Sequence, residues 1–284
     1  MTTPIERAFT EHRRLLWGLS YRMLGVQAEA DEVVQDVFER ALRHPPALDR
    51  PLRPWLVRVA MNAARDRLRK RRRTPYPGPW LPPPAEEPAA PVPGERLQQV
   101  SYALLVALEQ LTPRQRAVWL LREVLGMSTA EAAGALAVQP GSVKVTLHRA
   151  RKALGDHNEP MSDPVTGMVA VAALAAAILS GDVAGVTQLL SADCVALTDG
   201  GGVYHAARVP VVGAWAVARL LVGLARKNPG AVYAPDVVAG CPAVFVTNPG
   251  VPVAFAPRSV TLFGVRHGRI ERVWSVLAPD KLPP

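Results

Sequence analysis

The sequence predicts a multidomain chain: two all-α helical modules, then a C-terminal α+β cone in which a curved antiparallel sheet wraps over helices. Three observations predict it. Apolar residues recur at helical spacing over 29–42, 52–73 and 112–154. Residues 74–94 hold nine prolines, which remove backbone donors and forbid a helix. Beyond residue 165 helical patterns give way to short β-rich runs broken by Asn248-Pro249-Gly250 and His267-Gly268. The expected parts are residues 1–73, a linker at 74–94, residues 95–155 and residues 165–284.

Composition narrows the function. A formal net charge of +9 and a pI near 10.1 favour a polyanionic partner. The excess lies in residues 1–160, with 24 Lys and Arg against 17 Asp and Glu; the remainder holds 9 against 7. The nucleic-acid candidate is therefore the front of the chain. Cys194 and Cys241 are too few for a disulfide framework, and no CxxC pair offers a zinc site. They read as small buried hydrophobes in a reducing cytoplasm, and no metal or cofactor is expected. The N-terminus lacks an apolar signal core. The most apolar run, Val165 to Leu179, falls short of the roughly 20 residues a membrane span needs.

In the first module, Ala30, Val33, Val34, Val37, Phe38, Ala41 and Leu42 form one helical stripe. Glu32, Gln35, Asp36 and Glu39 fall on the opposite face. Such a face is ordinarily just solvated, but the rest of the module is basic, so it points to a protein partner. The next helix, 52–73, is predicted to bury Leu52, Trp55, Leu56, Val59, Ala60 and Ala63. Arg58, Asn62, Arg65, Arg69 and Arg72 line another face, and Arg67, Lys70, Arg71 and Arg73 widen its positive end. That row suits a phosphate backbone, where counterion release gives sequence-independent affinity. Asn62 adds a donor and an acceptor for a base edge. The loop from His44 to Pro51 is placed to receive an extruded base. In the linker, Tyr76, Trp80 and Leu81 are larger than a spacer needs and predict docking on a surface.

The second module opens at Thr112-Pro113-Arg114-Gln115, a capping-box pattern with Pro at the first helical position. That helix should run to about Leu125. Ser128-Thr129-Ala130-Glu131 is a second capping box, starting a short helix with Ala132, Ala133 and Leu136 inward. Ala137 to Gly141 makes a turn. Residues 142–154 then form a basic helix with Val143, Leu147, Ala150 and Leu154 as its core face. Two short helices across a tight turn make a helix-turn-helix. Lys144, Val145 and Arg149 are the best base-reading candidates. His148 reads as a groove-edge polar residue, and Arg151 and Lys152 as phosphate contacts.

These two modules resemble extracytoplasmic-function sigma factors of bacterial RNA polymerase, which have only domains two and four. The carrying segments are AEADEVVQDVFERAL, RPWLVRVAMNAARDRLRKRRR, LTPRQRAVWLLREVLGMSTAEAAGAL and SVKVTLHRARKAL, about half the chain. The resemblance implies that Glu32, Gln35, Asp36 and Glu39 face the clamp helices of the polymerase β′ subunit. It implies that Asn62, Arg65 and Arg69 face the melted −10 element, and that Lys144 and Arg149 read the −35 element. Family members often carry Ser-Arg where this chain has Val145-Thr146. That departure implies fewer hydrogen bonds and more methyl contact, such as to thymine.

In the rear part, helices are predicted at Val169–Leu179, Val183–Leu190 and Pro210–Arg226. Strands are predicted at Val195–Thr198, Val232–Val238, Ala243–Thr247, Val251–Ala256, Ser259–Arg266 and Ile270–Leu277. This order resembles SnoaL-like members of the NTF2-like superfamily, and the whole chain resembles the sigma-factor subgroup carrying such a domain. Trp80-Leu81-Pro82, Asp199-Gly200-Gly201-Gly202 and Pro279-Asp280-Lys281-Leu282 carry that resemblance; Ala278 stands where the subgroup's tail motif begins with Asn. The resemblance implies a fused regulator whose linker and tail motifs hold domains together, with no separate anti-sigma protein. Related folds include enzymes, but Asp199, His205 and Asp236 form no visible dyad, and Asp199 reads as fixing a turn. No catalytic residue is expected. A structural regulatory role and small-ligand binding both stay open. The expected function is promoter-specific transcription initiation. The alternatives are a helix-turn-helix regulator acting without polymerase and a fused enzymatic domain. Deleting 278–284 is expected to change promoter output while leaving the fold intact.

Overall fold

The computed structural model describes residues 4–46, 49, 51–84, 101–155, 162–250 and 252–282. They form two compact units. The first joins residues up to Thr74 with those from Leu104 to Gly155, and the second joins 75–84, 101–103 and Ser162 onward.

The first unit contains α1 (Pro4–Leu24), α2 (Gln27–Arg43), α3 (Leu52–Arg71), α4 (Tyr102–Leu108, whose first two residues belong to the second unit), α5 (Pro113–Trp119), α6 (Thr129–Leu136) and α7 (Pro140–Leu154). A π-helical turn, Leu120–Val124, continues α5. Both capping boxes are present, Thr112 with Gln115 and Ser128 with Glu131. One apolar core runs through the unit, with Leu16, Met23, Val37, Met61, Trp119 and Leu147 among its members.

Two features of the helices differ from the sequence reading. The buried face of α3 is Leu56, Val57, Ala60, Met61, Ala64 and Leu68, whereas Leu52, Trp55, Val59 and Ala63 are only partly buried. The reason is that α3 packs against α1, α2, α5 and α6 at once, so its covered arc is wider than one stripe. In addition, α7 begins at Pro140 rather than Ser142, because proline's fixed φ suits the first helical position. The turn before it places Ala137 in the left-handed region, at φ 53°.

The second unit contains α8 (Pro164–Leu179), α9 (Val183–Leu189), β1 (Leu190–Asp199), β2 (Val211–Val212), α10 (Ala214–Lys227), β3 (Val232–Val238), β4 (Cys241–Thr247), β5 (Arg258–Arg266), β6 (Arg269–Val276) and a 3₁₀ turn at Pro279–Lys281. The strands form one sheet in the order β2-β1-β6-β5-β4-β3. Val171 and Leu174 of α8, Val186 of α9, and Val217 and Val222 of α10 pack with Cys194, Ala196, Phe263, Val265 and Val273. Alternation sends the neighbouring Leu262 and Trp274 to the other side. There Trp274 meets Tyr102 edge-on at 5.7 Å, and the Tyr102 backbone N–H donates to Ala239 O.

Three expectations are corrected here. The sheet is mixed, because β1 and β6 pair in parallel. Such a pair needs a long crossover, which α10 and β3 to β5 supply. Val211–Val212 is a short strand paired with β1, so the helix expected from Pro210 starts at Ala214. Pro252–Ala256 is a turn rather than a strand, closed by Phe255 N–H donating to Pro252 O; Val251 lies outside the described residues.

Candidate functional site

The acidic face of α2 is on the surface. Glu32, Gln35 and Asp36 are exposed, and Glu39 is half-buried. The Gln35 amide donates to Glu39 at 3.2 Å. Arg67, expected at the positive end of α3, instead reaches back to this face and pairs with Glu32 at 2.7 Å and Asp36 at 2.5 Å. It neutralises part of the face and orients two of its carboxylates.

Beside this face, Trp55, Arg58, Val59, Asn62, Ala63 and Asp66 of α3 line an open groove of about 410 Å³ with Asp36 and Arg40 of α2. Arg58 and Arg69 are exposed and Arg65 is half-buried. Arg69 lies 3.4 Å from Asp66. The Asn62 side-chain amide donates to the carbonyl of Ala135 in α6. Arg72 does not extend this row, because it donates to the carbonyls of Leu111 and Glu109. Of the loop between α2 and α3, residues 47, 48 and 50 lie outside the described residues, and so does the expected extrusion pocket.

On α7, Lys144, Val145, His148, Arg149 and Arg151 are exposed while Val143, Leu147, Ala150 and Leu154 are buried. Arg151 forms an ion pair with Glu123 at 2.7 Å, which the sequence reading did not anticipate. Arg114, at the start of α5, was also missed; its guanidinium donates to the Ser142 hydroxyl at the N-terminal end of α7.

A further cluster was missed altogether. Glu109, between α4 and α5, pairs with Arg116 at 2.6 Å, Arg72 at 3.3 Å and Arg71 at 3.4 Å. Arg116 is 1% exposed and also donates to the carbonyls of Leu108 and Met23. Burial pulls its pKa down to about 10, against the opposing pull of Glu109. One carboxylate thus ties the end of α3 to the start of the helix-turn-helix. The visible signal was only a lone Glu beside the capping box.

In the second unit the three motifs meet on Asp199, which is 1% exposed. Its Oδ1 accepts from the Tyr76 hydroxyl at 2.6 Å and the Gly201 N–H at 3.0 Å. Its Oδ2 accepts from the Leu81 N–H at 2.8 Å and from Lys281 Nζ at 2.7 Å. Lys281 also donates to Leu81 O and lies over the rings of Trp80 at 4.2 Å and Tyr76 at 4.8 Å. Burial, then the Asp199 hydrogen bond, raises the Tyr76 pKa strongly and keeps the phenol a donor. Pro82 O accepts from the Tyr102 hydroxyl. A side chain at Gly201 would collide with Ala278, and one at Gly202 with Pro77; both glycines have positive φ. Ala278 is buried and donates its N–H to Asp199 O, so the tail is held by backbone where an Asn side chain was in question. Asp280 is exposed, and Gly200 admits no side chain because Tyr204 O and Ala206 crowd it.

Asp199 and Asp236 stand on β1 and β3, four strand spacings apart in the sheet, roughly 19 Å. They form no dyad. Among the described residues no group of His, Cys, Asp and Glu is placed to hold a metal ion, and no helix is long and apolar enough to cross a membrane.

The architecture defines a class: a helical unit with an exposed acidic face and a helix-turn-helix, fused to an α+β domain bound to its own linker. Residues 8–74 match the Sigma-70 region 2 family, and residues 101–154 match Sigma-70 region 4. The chain is 31% identical over 290 residues to the ECF RNA polymerase sigma factor SigJ of Mycobacterium tuberculosis, covering 96% of this chain and 91% of SigJ. It is 27% identical over 292 residues to the probable ECF sigma factor SigI of the same species, covering 99% and 96%. The crystal structure of M. tuberculosis SigJ matches with a TM-score of 0.74 at 27% identity, over 97% of each chain. The protein belongs to the ECF RNA polymerase sigma factors, and the match continues through its C-terminal α+β domain. It is an alternative sigma factor, whose partners are RNA polymerase core and promoter DNA.

Proposed function

We propose that α2 docks on the β′ clamp helices of the polymerase through Glu32, Gln35, Asp36 and Glu39. The groove beside it, lined by Arg58 and Asn62, receives the −10 strand, with Arg65 and Arg69 of the same helix as its further contacts. The exposed face of α7, with Lys144, Val145, His148, Arg149 and Arg151, takes the −35 duplex. The observation that carries this reading is the adjacency of an exposed acidic face and a Trp55-walled groove that offers Arg40, Arg58 and Asn62 beside Asp36 and Asp66, all on one helix pair. It matches the division of labour between a protein partner and a nucleic acid.

The second unit acts as a regulator. Its support is the Asp199 cluster, which binds the linker through Tyr76, Trp80 and Leu81 and the tail through Lys281, while Pro82 is held by Tyr102 and Asp280 and Leu282 flank the anchoring lysine. In this reading the chain works in the cytoplasm, performs no catalysis and needs no separate anti-sigma protein.

Run-off transcription with purified core polymerase tests the proposal, using templates from upstream of the protein's own gene. A transcript dependent on the protein is expected. Asp36→Arg should abolish core binding, but it also breaks the pair with Arg67. Gln35→Arg leaves that pair intact and is the cleaner variant. Unchanged core binding by Gln35→Arg, with melting temperature preserved, would defeat the assignment of this face. Core binding and transcript both absent in the parent protein would favour a plain DNA-binding regulator.

A further inference from the structure

Among the described residues of 101–155, Val145 is the only large apolar side chain that stands exposed, at 53%. The other large apolar residues of α7 are buried in the core. Val145 shares its face with Lys144, His148 and Arg149, so it interrupts a charged and polar row with two methyl groups. One turn earlier on the same face stands Gly141, where even a Cβ would meet nothing within 4 Å. The N-terminal flank of Val145 is therefore open to an approaching group. Ser142, on the preceding turn, already accepts a hydrogen bond from Arg114.

A β-branched side chain on a helix has essentially one χ1 rotamer. Its methyl groups are held in a fixed direction, and ordering them on binding costs little entropy. The edges of base pairs in the major groove carry one apolar group, the C5 methyl of thymine. A rigid pair of methyls in an otherwise polar reading face is complementary to that group and to no other base edge.

We propose that Val145 reads the 5-methyl group of a thymine in the −35 element, while Lys144 and Arg149 supply the charged contacts around it. The inference rests on the reading of α7 as the −35 helix. It adds a base identity that hydrogen bonding alone does not give.

The test uses the full-length protein with core polymerase. A duplex pool randomised over the −35 region is selected for binding, and the selected duplex is remade with each thymine singly replaced by deoxyuridine, which removes only the methyl. At one position the replacement should weaken binding about fourfold, the size expected for burying one methyl group. Val145→Ala should bring the thymine-to-uracil ratio at that position close to one while retaining the rest of the motif and the melting temperature. Tolerance of deoxyuridine at every position would overturn the proposal. So would a Val145→Ala variant that keeps the parent ratio, or one that loses core binding with the ratio unchanged, since Val145 would then be a protein contact. Recovery of no duplex motif, with core binding intact, is a different result. It removes the −35 reading of α7 itself, and the inference with it.

Discussion

Asp199 accepts four hydrogen bonds in a site closed to water. Removing one partner of a buried ion pair strands the other and typically costs about 3–5 kcal/mol. The two halves of this pair are not equal. Without Lys281, the carboxylate keeps Tyr76, Leu81 and Gly201 as donors. Without the carboxylate, Lys281 keeps one carbonyl and two aromatic faces, and three donors lose their acceptor charge. Asp199→Asn should therefore destabilise more than Lys281→Met, as read by urea denaturation. Ala137 holds a left-handed conformation that costs an L-residue roughly 1–2 kcal/mol. Ala137→Gly should raise the free energy of unfolding by about 1 kcal/mol, read from urea denaturation, part of the relief being offset by the greater freedom of unfolded glycine. Burial pushes the Cys194 thiol up to about 12 and raises that of Cys241. An alkylating reagent at neutral pH should therefore modify neither cysteine until the protein unfolds, since thiolate is the reactive form.

Helices and turns whose signals are local were legible in the sequence. The stripe of α2, both capping boxes and the turn before α7 follow from spacing within a few residues. Elements governed by distant partners were not. The face of α3 shifted because four helices compete for it, and the parallel pairing of β1 with β6 joins residues about eighty apart. Charge was the least transparent property. The basic end of α3 reads as one DNA-facing row, yet Arg67 serves the acidic helix and Arg71 and Arg72 converge on Glu109. Sequence gives the sign of a side chain but not its partner. Glu109→Gln leaves Arg116 buried without its counter-charge, and should cost about 3 kcal/mol. Calorimetry would locate that loss in the first unit, with the second unit's transition unmoved.

Across the whole chain, the tail motif is part of the interior of the second unit. Deleting 278–284 would remove the Lys281 counter-charge of Asp199 and the buried Ala278 together, so the truncated protein is expected to lose stability. Thermal melts of the truncated protein should show a lowered transition, and any change in promoter output would mix stability with regulation. Lys281→Met is the more discriminating variant. A different feature bears on how far apart two promoter elements can be. α3 packs directly on α5 and α6, and Glu109 holds Arg71 and Arg72 beside Arg116. In the free protein the two DNA-reading helices are therefore parts of one body, not two beads on a string, and a stiff body reads its two marks at one separation.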